Sequence, residues 1–323
     1  MHASSSRSSS SSTRPDAQHD QTAPLNSEGE GRSHVPSSPG LTLVATPIGN
    51  LGDFSPRGAL ALAQADLVLC EDTRTTARLL SERGISVRTE ALHEHNERQR
   101  VPALIERLKA GARIALVSDA GMPLMSDPGY RLVRAAIDAD LPITVVPGPN
   151  AALAALVLSG LPPHPYLFVG FPPPRSAARK EAFAQLHAAE RAGLNATLIW
   201  HEAPHRLAET LADMATVFGA DRPAVVAREL TKRFEEVRRG TAGELAAFYS
   251  ESPPRGEITL LLGPAPQDEN AADDLDTTLR SLLRTHSVKD AAALAAAAIG
   301  LPKRTVYARA LELAAEGENS ATP

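Results

Sequence analysis

The sequence predicts an α/β protein built from two α/β domains, a small C-terminal helical module of the helix-turn-helix kind, and a disordered N-terminal tail. Three observations predict it. From Leu41 to about Gly263, short β-prone apolar runs alternate with helical patterns, as in βα units arranged on a mainly parallel sheet. After Pro264 that alternation gives way to an alanine-rich helical pattern. Residues 1–40 hold twelve serines and, of the large apolar types, only Met1, Leu25 and Val35, too little apolar surface to offset the entropy of ordering.

The tail lacks the apolar run of a secretory signal, and Asp16, Asp20, Glu28 and Glu30 nearly balance Arg7, Arg14 and Arg32, unlike an acid-poor transit peptide. The expectation is a cytoplasmic protein. No apolar run approaches the roughly twenty residues of a membrane helix. With 323 residues and 43% apolar content the chain can fill two cores. Its one cysteine, Cys70, excludes an internal disulfide framework. Between Leu69 and Glu71, at the end of an apolar run, it reads as a packed strand thiol. A net charge of −5 offers no general attraction to nucleic acid, so any such contact needs a local basic patch.

The first domain is expected over 41–152. Leu41 to Ala45 is a strand ending in Thr46-Pro47-Ile48-Gly49-Asn50, and Pro56 to Ala65 is a helix with Asp53 or Ser55 as its cap. Leu67 to Cys70 is a strand that runs into Glu71-Asp72-Thr73-Arg74 and a helix through Leu80. His93-Glu94-His95-Asn96-Glu97 opens a helix to about Ala110. Ile114 to Val117 is short and wholly apolar, as a strand covered on both faces should be. It stops in a loop carrying Ser118, Asp119, Gly121, Pro123, Asp127, Pro128 and Gly129, before a helix from Tyr130 to Ile137. Ile143 to Val146 is a fourth strand, ending in Pro147-Gly148-Pro149-Asn150 ahead of an alanine-rich helix to Ser159. In open α/β sheets ligands bind at such carboxyl strand ends.

A second domain is expected over 153–264, with strands at Tyr166 to Gly170, Thr197 to His201, Ala224 to Ala227 and Glu257 to Leu262, and helices near 176–191, 204–217 and 241–250. Its loops also carry polar groups, and a cleft between the two domains is the expected ligand site. Neither a G-x-x-x-x-G-K-[ST] loop nor a strand-linked G-x-G-x-x-G is present, so phosphate-bearing nucleotides lack their usual glycine cradle. His93 and His95 have no matching third ligand, and no metal site is expected.

The series VATPIGNL, VLCEDTRTTARLL, HEHNE, VSDAGMPLMSDPGYRLV, VPGPNA, GFPP, HEAPHRL, VARELTKRFEE and GEITLLLG resembles the motifs of the ribosomal RNA small subunit methyltransferase I family, within the tetrapyrrole-methylase-like group. The likeness runs in order from Leu41 to Gly263. It implies two α/β domains of the tetrapyrrole-methylase type, a homodimer, and S-adenosylmethionine as cofactor. The implied reaction is methylation of a cytidine ribose 2′-oxygen in the decoding region of 16S rRNA, on the RNA or the small ribosomal subunit. Met122 and Leu124-Met125 depart from the commoner smaller residues, and His201-Glu202-Ala203 from Tyr-Glu-Ser, without removing a charge that the family keeps.

Carried over by position, the resemblance places Pro47, Ser118, Asp119, Met122, Asn150, Ala151, Glu202 and Leu230 against the cofactor. A hydroxyl nucleophile benefits from a general base, for which Glu71, Asp72 and Glu229 are the candidates, with His201 and His205 nearby. Arg74, Arg206, Arg228 and Lys232 are available for RNA phosphates. The same charged blocks can also be read as ion pairs that hold loops. A precorrin-type methylase, or a nucleic-acid-binding regulator with an idle methylase body, are the rival readings.

The helical module is expected over 271–316. Ser287 and Asp290 start a helix from Val288 to Ile299, Gly300 stops it, and Pro302 opens another through Ala315. Between Thr278 and Leu311 six basic residues, Arg280, Arg284, Lys289, Lys303, Arg304 and Arg309, face one acid, Asp290. This is the local patch for RNA, with Lys303 and Arg304 as its chief candidates.

Overall fold

The computed structural model describes residues 38–266, 269–299 and 301–319. The expected disordered tail up to residue 37, and the helix stop at Gly300, lie outside the described residues. The first half consists of β1 (Gly40–Val44), α1 (Pro56–Gln64), β2 (Leu67–Cys70), α2 (Thr73–Glu82), β3 (Thr89–Ala91), α3 (Glu94–Lys109), β4 (Arg113–Val117), α4 (Tyr130–Asp138) and β5 (Ile143–Val146). Its five strands form a parallel sheet in the order β3-β2-β4-β1-β5.

The apolar runs explain the layering. Successive strand side chains point to opposite faces, so Leu67, Leu69, Ile114 and Leu116 enter one core with Leu104, Leu108 and Leu132 of α3 and α4. Val68, Cys70, Ala115 and Val117 enter the other, with Leu62, Leu79 and Leu80 of α1 and α2. Each fully buried leucine contributes about 1.5–3 kcal/mol, and charge in either set would disrupt a core. Cys70 is buried, and burial raises its thiol pKa, as expected of a packed residue. Ser55 caps α1 by accepting from the Gly58 N–H at 2.9 Å. The three-residue edge strand β3 has no apolar alternation to announce it. Its central Glu90 is held instead by Arg88, Arg100 and Arg107.

The second half contains α5 (Ala151–Ser159), β6 (Tyr166–Gly170), α6 (Ser176–Arg191), β7 (Thr197–Glu202), α7 (Leu207–Phe218), β8 (Pro223–Arg228), β9 (Glu236–Thr241), α8 (Ala242–Glu251) and β10 (Ile258–Leu262). The sheet order is β6-β7-β10-β8-β9, with only β6 and β7 parallel. Sequence reading misses β9 because Glu236, Arg238 and Arg239 give it the look of a loop, whereas an antiparallel edge strand needs only one apolar face. Phe183, Trp200, Leu207, Leu211 and Met214 pack α6 and α7 on one face of this sheet. On its other face α5 packs through Ala152, Ala155 and Leu156, joined by Ile48 of the first half.

Three further helices, α9 (Glu269–Leu283), α10 (Val288–Ile299) and α11 (Lys303–Asn319), close around Leu275, Leu279, Ala292, Ala295, Val306, Ala310 and Leu313. Ser287 accepts from the Asp290 N–H at 3.2 Å at the start of α10. Helix α9 is absent from the sequence-based expectation, since its acidic first turns continue the polar composition of the preceding linker.

Candidate functional site

The carboxyl ends of β7 and β8 lie at the same end of the second sheet as the start of β10, because Ile258 pairs with both Glu202 and Arg228. Against that end stand the loops after β1, β4 and β5. They enclose a cavity of about 380 Å³ lined by Ile48, Asp119, Gly121, Met122, Met125, Asp127, Asn150, Ala151, Phe168, Phe171, His201, Glu202, Leu230 and Thr259, among others. A second cavity of about 660 Å³, lined by Pro47, Gly49, Arg78, Ser118, Asp119 and Lys232, shares Asp119 and Ile48 with it.

The first two loops are locked together. Thr46 and Gly121 exchange backbone hydrogen bonds of 2.9 and 3.1 Å, the Thr46 hydroxyl donates to the Ser118 carbonyl at 3.1 Å, and the Ser118 hydroxyl donates to the Gly121 carbonyl at 2.8 Å. Gly121 sits at φ +80, where a Cβ would also press on Ile48 and on the Pro149 carbonyl. Leu124 and Ser126 hold positive φ angles of 71 and 72 without being glycine, local strain of about 1–3 kcal/mol each that tends to gather at functional loops.

Of the eight positions that the resemblance assigns to the cofactor, Asp119, Met122, Asn150, Ala151, Glu202 and Leu230 line the smaller cavity. Pro47 and Ser118 line the neighbouring one. Asn150 caps α5 by accepting from the Leu153 N–H at 3.0 Å. Glu202 is 2% exposed, and its carboxylate accepts from the Ala203 N–H at 2.7 Å, from Thr210 and from Arg206. It shapes the wall while its charge is met within the protein.

The carboxylates differ sharply. Burial, reinforced by Glu71 and Asp119, pushes the Asp127 carboxyl up to about 7. Burial likewise raises Asp119, against the opposing hydrogen bond from the Asp72 N–H, and it raises Glu71 with help from the Asp119 charge. Asp72 runs the other way. Hydrogen bonds from the Arg74 side chain and backbone pull it down to about 2. Glu229 accepts from Lys232 at 2.8 Å and from the Glu257 N–H at 3.1 Å, with Lys232 lowering its pKa. Neither Asp72 nor Glu229 lines the 380 Å³ cavity. His201 lies between Phe168 and Phe171, at ring-centroid distances of 5.0 and 5.6 Å, and burial lowers its pKa.

The cations expected for RNA are unevenly placed. Arg206 turns inward onto Glu202 with 17% of its side chain exposed. Arg74 is 90% exposed and paired with Asp72 at 2.6 Å. Lys232 lies between Glu229 and Glu257, its stem against Gly49, where a Cβ would come within 2.4 Å of it. Arg228 is bound to Glu236. Lys303 and Arg304 are exposed at the start of α11. Asp127, Phe168, Phe171 and Thr259 are among the lining residues that the sequence reading did not assign to the site. Asp127 was signalled by the second carboxylate of the β4 loop, Phe171 by the GFPP motif and Thr259 by GEITLLLG, while Phe168 lies in the β6 run just before GFPP. Among the described residues no group of three His, Cys, Asp or Glu side chains is arranged for a metal ion, and no helix is long and apolar enough to cross a membrane.

Comparison with known proteins agrees along the chain. Residues 40–246 match the family described as Tetrapyrrole (Corrin/Porphyrin) Methylases, and residues 269–314 match the RsmI C-terminal HTH domain. The Ribosomal RNA small subunit methyltransferase I of Mesorhizobium japonicum is 46% identical over 287 residues, covering 88% of this chain and 96% of that protein. That of Escherichia coli O157:H7 is 43% identical over 275 residues, covering 84% and 94%. Among solved structures the methyltransferase CobJ superposes with a TM-score of 0.52 over 70% of this chain and 94% of its own, at 17% identity, a likeness of fold alone. With family matches over residues 40–246 and 269–314, and relatives of 43–46% identity along most of its length, the chain belongs to the ribosomal RNA small subunit methyltransferase I family.

Proposed function

We propose that this protein transfers the methyl group of S-adenosylmethionine to the 2′-oxygen of a cytidine ribose in the decoding region of 16S rRNA, acting on the RNA or the small subunit. The observation that carries the reading is the 380 Å³ cavity at the meeting of two sets of strand ends, walled by carboxylates, apolar side chains and backbone. A sulfonium cofactor has no phosphates, so its site needs hydrogen-bond acceptors and apolar surface in place of a glycine cradle. The residues present fit it: Asp119 supplies an acceptor, Ile48, Met122, Ala151 and Leu230 supply apolar wall, and Gly121 lets the backbone approach. The volume lies within the roughly 300–1,000 Å³ usual for such ligands.

When bound, the cofactor supplies a methyl group on a positively charged sulfur. The chain's part is to hold the ribose hydroxyl in line with it, an arrangement worth up to about 7–11 kcal/mol in well-oriented systems, and to accept the hydroxyl proton. Asp127 is the proposed acceptor, because it lines the cavity and its carboxyl titrates at about 7, close to the optimum for a general base. Glu71 is proposed to hold that value up through its charge. Asp72, at about 2, and Glu229, tied to Lys232, serve as loop clips. The exposed Lys303 and Arg304 of α11 are proposed to meet RNA phosphates.

The proposed assembly is a homodimer in the cytoplasm. Leu153 and Val157, one turn apart on α5, are 43% and 75% exposed, and Tyr130 and Ile137 on α4 are 70% and 54% exposed. Apolar exposure of this kind favours a partner surface. The test of the whole reading is transfer of labelled methyl from S-adenosylmethionine to purified small subunits or 16S rRNA, followed by alkaline hydrolysis, which a 2′-O-methyl group resists. Label on a base, on a tetrapyrrole, or on nothing would overturn it.

A further inference from the structure

Away from the methyl-transfer cavity, β8, β9 and α8 enclose a pocket of about 320 Å³ whose polar walls are Arg228, Arg238, Arg255, Glu236, Tyr249 and Ser252. Three guanidinium groups face one carboxylate there. Glu236 grips the Arg228 Nε at 2.5 Å and the Arg238 Nη2 at 2.8 Å, fixing both planes. Arg238 is further fixed by Phe248, whose ring centroid lies 3.8 Å from its central carbon. The terminal nitrogens of Arg228 make no hydrogen bond among the described residues, and neither does Arg255. Tyr249 is 2% exposed and lines the pocket beside Arg238, yet among the described residues no carbonyl or carboxylate accepts its hydroxyl proton. A buried donor left unmet is costly. Burial, and Glu236 beside it, raise the phenol pKa against the opposing charge and hydrogen bond of Arg238, so the hydroxyl keeps its proton at neutral pH.

The location gives these donors a use. Arg228 follows Ala227 on β8, and Ala227 lines the methyl-transfer cavity. Consecutive strand residues point to opposite faces, so the two pockets share one end of the sheet and lie on either side of its rim. Several convergent donors with excess positive charge suit a phosphate group, whose oxygens accept from arginine forks and hydroxyls together. Resting on the rRNA reading above, we propose that Arg228, Arg238, Arg255 and Tyr249 form a phosphate site that holds a backbone phosphate of the RNA strand entering the neighbouring cavity.

The test compares wild-type protein with Arg255→Gln and Tyr249→Phe, measuring affinity for a small-subunit rRNA fragment across a salt series at saturating S-adenosylmethionine. Inorganic phosphate is titrated against each protein in parallel. Arg255 is exposed and, among the described residues, unpaired, so its replacement should leave the fold intact. The expected result for Arg255→Gln is weaker RNA binding, with a salt slope lower by roughly 0.7–0.9. Tyr249→Phe should weaken binding with the slope unchanged, since it removes a donor and no charge. Cofactor affinity should stay at the wild-type value in both. Loss of inorganic phosphate binding in the variants, with RNA affinity untouched, would overturn the RNA assignment in favour of a free anion. No change in either titration would overturn the site. Failure of the rRNA reading itself looks different, because then the wild-type protein would not bind the RNA.

Discussion

The Asp72 backbone N–H donates to Oδ1 of Asp119 at 3.1 Å, tying the end of β2 to the end of β4 where both enter the candidate site. One carboxylate thus has two tasks, since Asp119 also lines both cavities. Asp119→Ala removes the tie and the proposed cofactor acceptor together, whereas Asp119→Asn keeps an oxygen for the Asp72 N–H and removes only the charge. Calorimetric titration with S-adenosylmethionine should show at least a tenfold loss, about 1.4 kcal/mol, for alanine and a smaller one for asparagine. Equal, wild-type affinities in both variants would show that the cofactor sits elsewhere.

Much of this site was legible in the sequence because its strands are short apolar runs that end abruptly in turn residues. Ile114 to Val117 followed by Ser118-Asp119 marks a strand end by composition alone. The partners of each charge were not legible. Arg206 and Glu202 are four residues apart, yet nothing in their spacing says that the guanidinium turns inward, and Glu229 meets Lys232 through a left-handed turn at φ 50. Asp127 was visible as a loop carboxylate, but its titration depends on burial and on Glu71, far away in sequence. The edge strands β3 and β9 stayed hidden for a related reason, since ion pairs rather than apolar alternation fill their outer positions.

Glu202 provides a stability test that is distinct from binding. Its carboxylate is buried and satisfied by Arg206, Thr210 and the Ala203 N–H. Removing one partner of a buried pair leaves the other uncompensated, at about 3–5 kcal/mol. The 17% exposure of Arg206 puts Glu202→Ala near the lower end, about 3 kcal/mol. Denaturant unfolding should show that loss, with Glu202→Gln much milder because it keeps the hydrogen bonds to Thr210 and Ala203. A wild-type midpoint for Glu202→Ala would mean that water replaces the pair.

The terminal helices separate structural from available cations. Arg309 is held by Asp276 at 2.6 Å and Glu312 at 2.7 Å, and so belongs to the packing of α11 on α9. Lys303 and Arg304 are exposed and make no ion pair among the described residues. Lys303→Ala with Arg304→Ala should therefore weaken RNA binding and lower its salt slope by about 1.4–1.8, twice the value per phosphate contact, with S-adenosylmethionine affinity unchanged. Arg309→Ala should instead lower the melting temperature of the module. A salt slope unaltered by the double substitution would assign the three helices to packing alone.

The proposed proton acceptor makes a prediction in which pH affects activity and stability in opposite directions. Asp127 titrates at about 7 in the folded chain and near 3.9 when unfolded. Between those values the native state holds a proton that the unfolded state has released, so this residue's contribution to stability falls as pH rises through the window. Only the ionised form can take the hydroxyl proton, so kcat/KM should climb over the same interval and level off above about 7. Asp127→Asn should cut turnover by about 10²–10⁴-fold, remove the rise near 7, and melt at a higher temperature than wild type at pH 8 but not at pH 4. Glu71→Gln should keep the rise and move its midpoint downward, because the Glu71 charge is one of the two that hold Asp127 up. A pH profile for Asp127→Asn that overlays the wild type would transfer the role to another group, and an unmoved midpoint in Glu71→Gln would leave burial and the Asp119 charge as the causes of the shift.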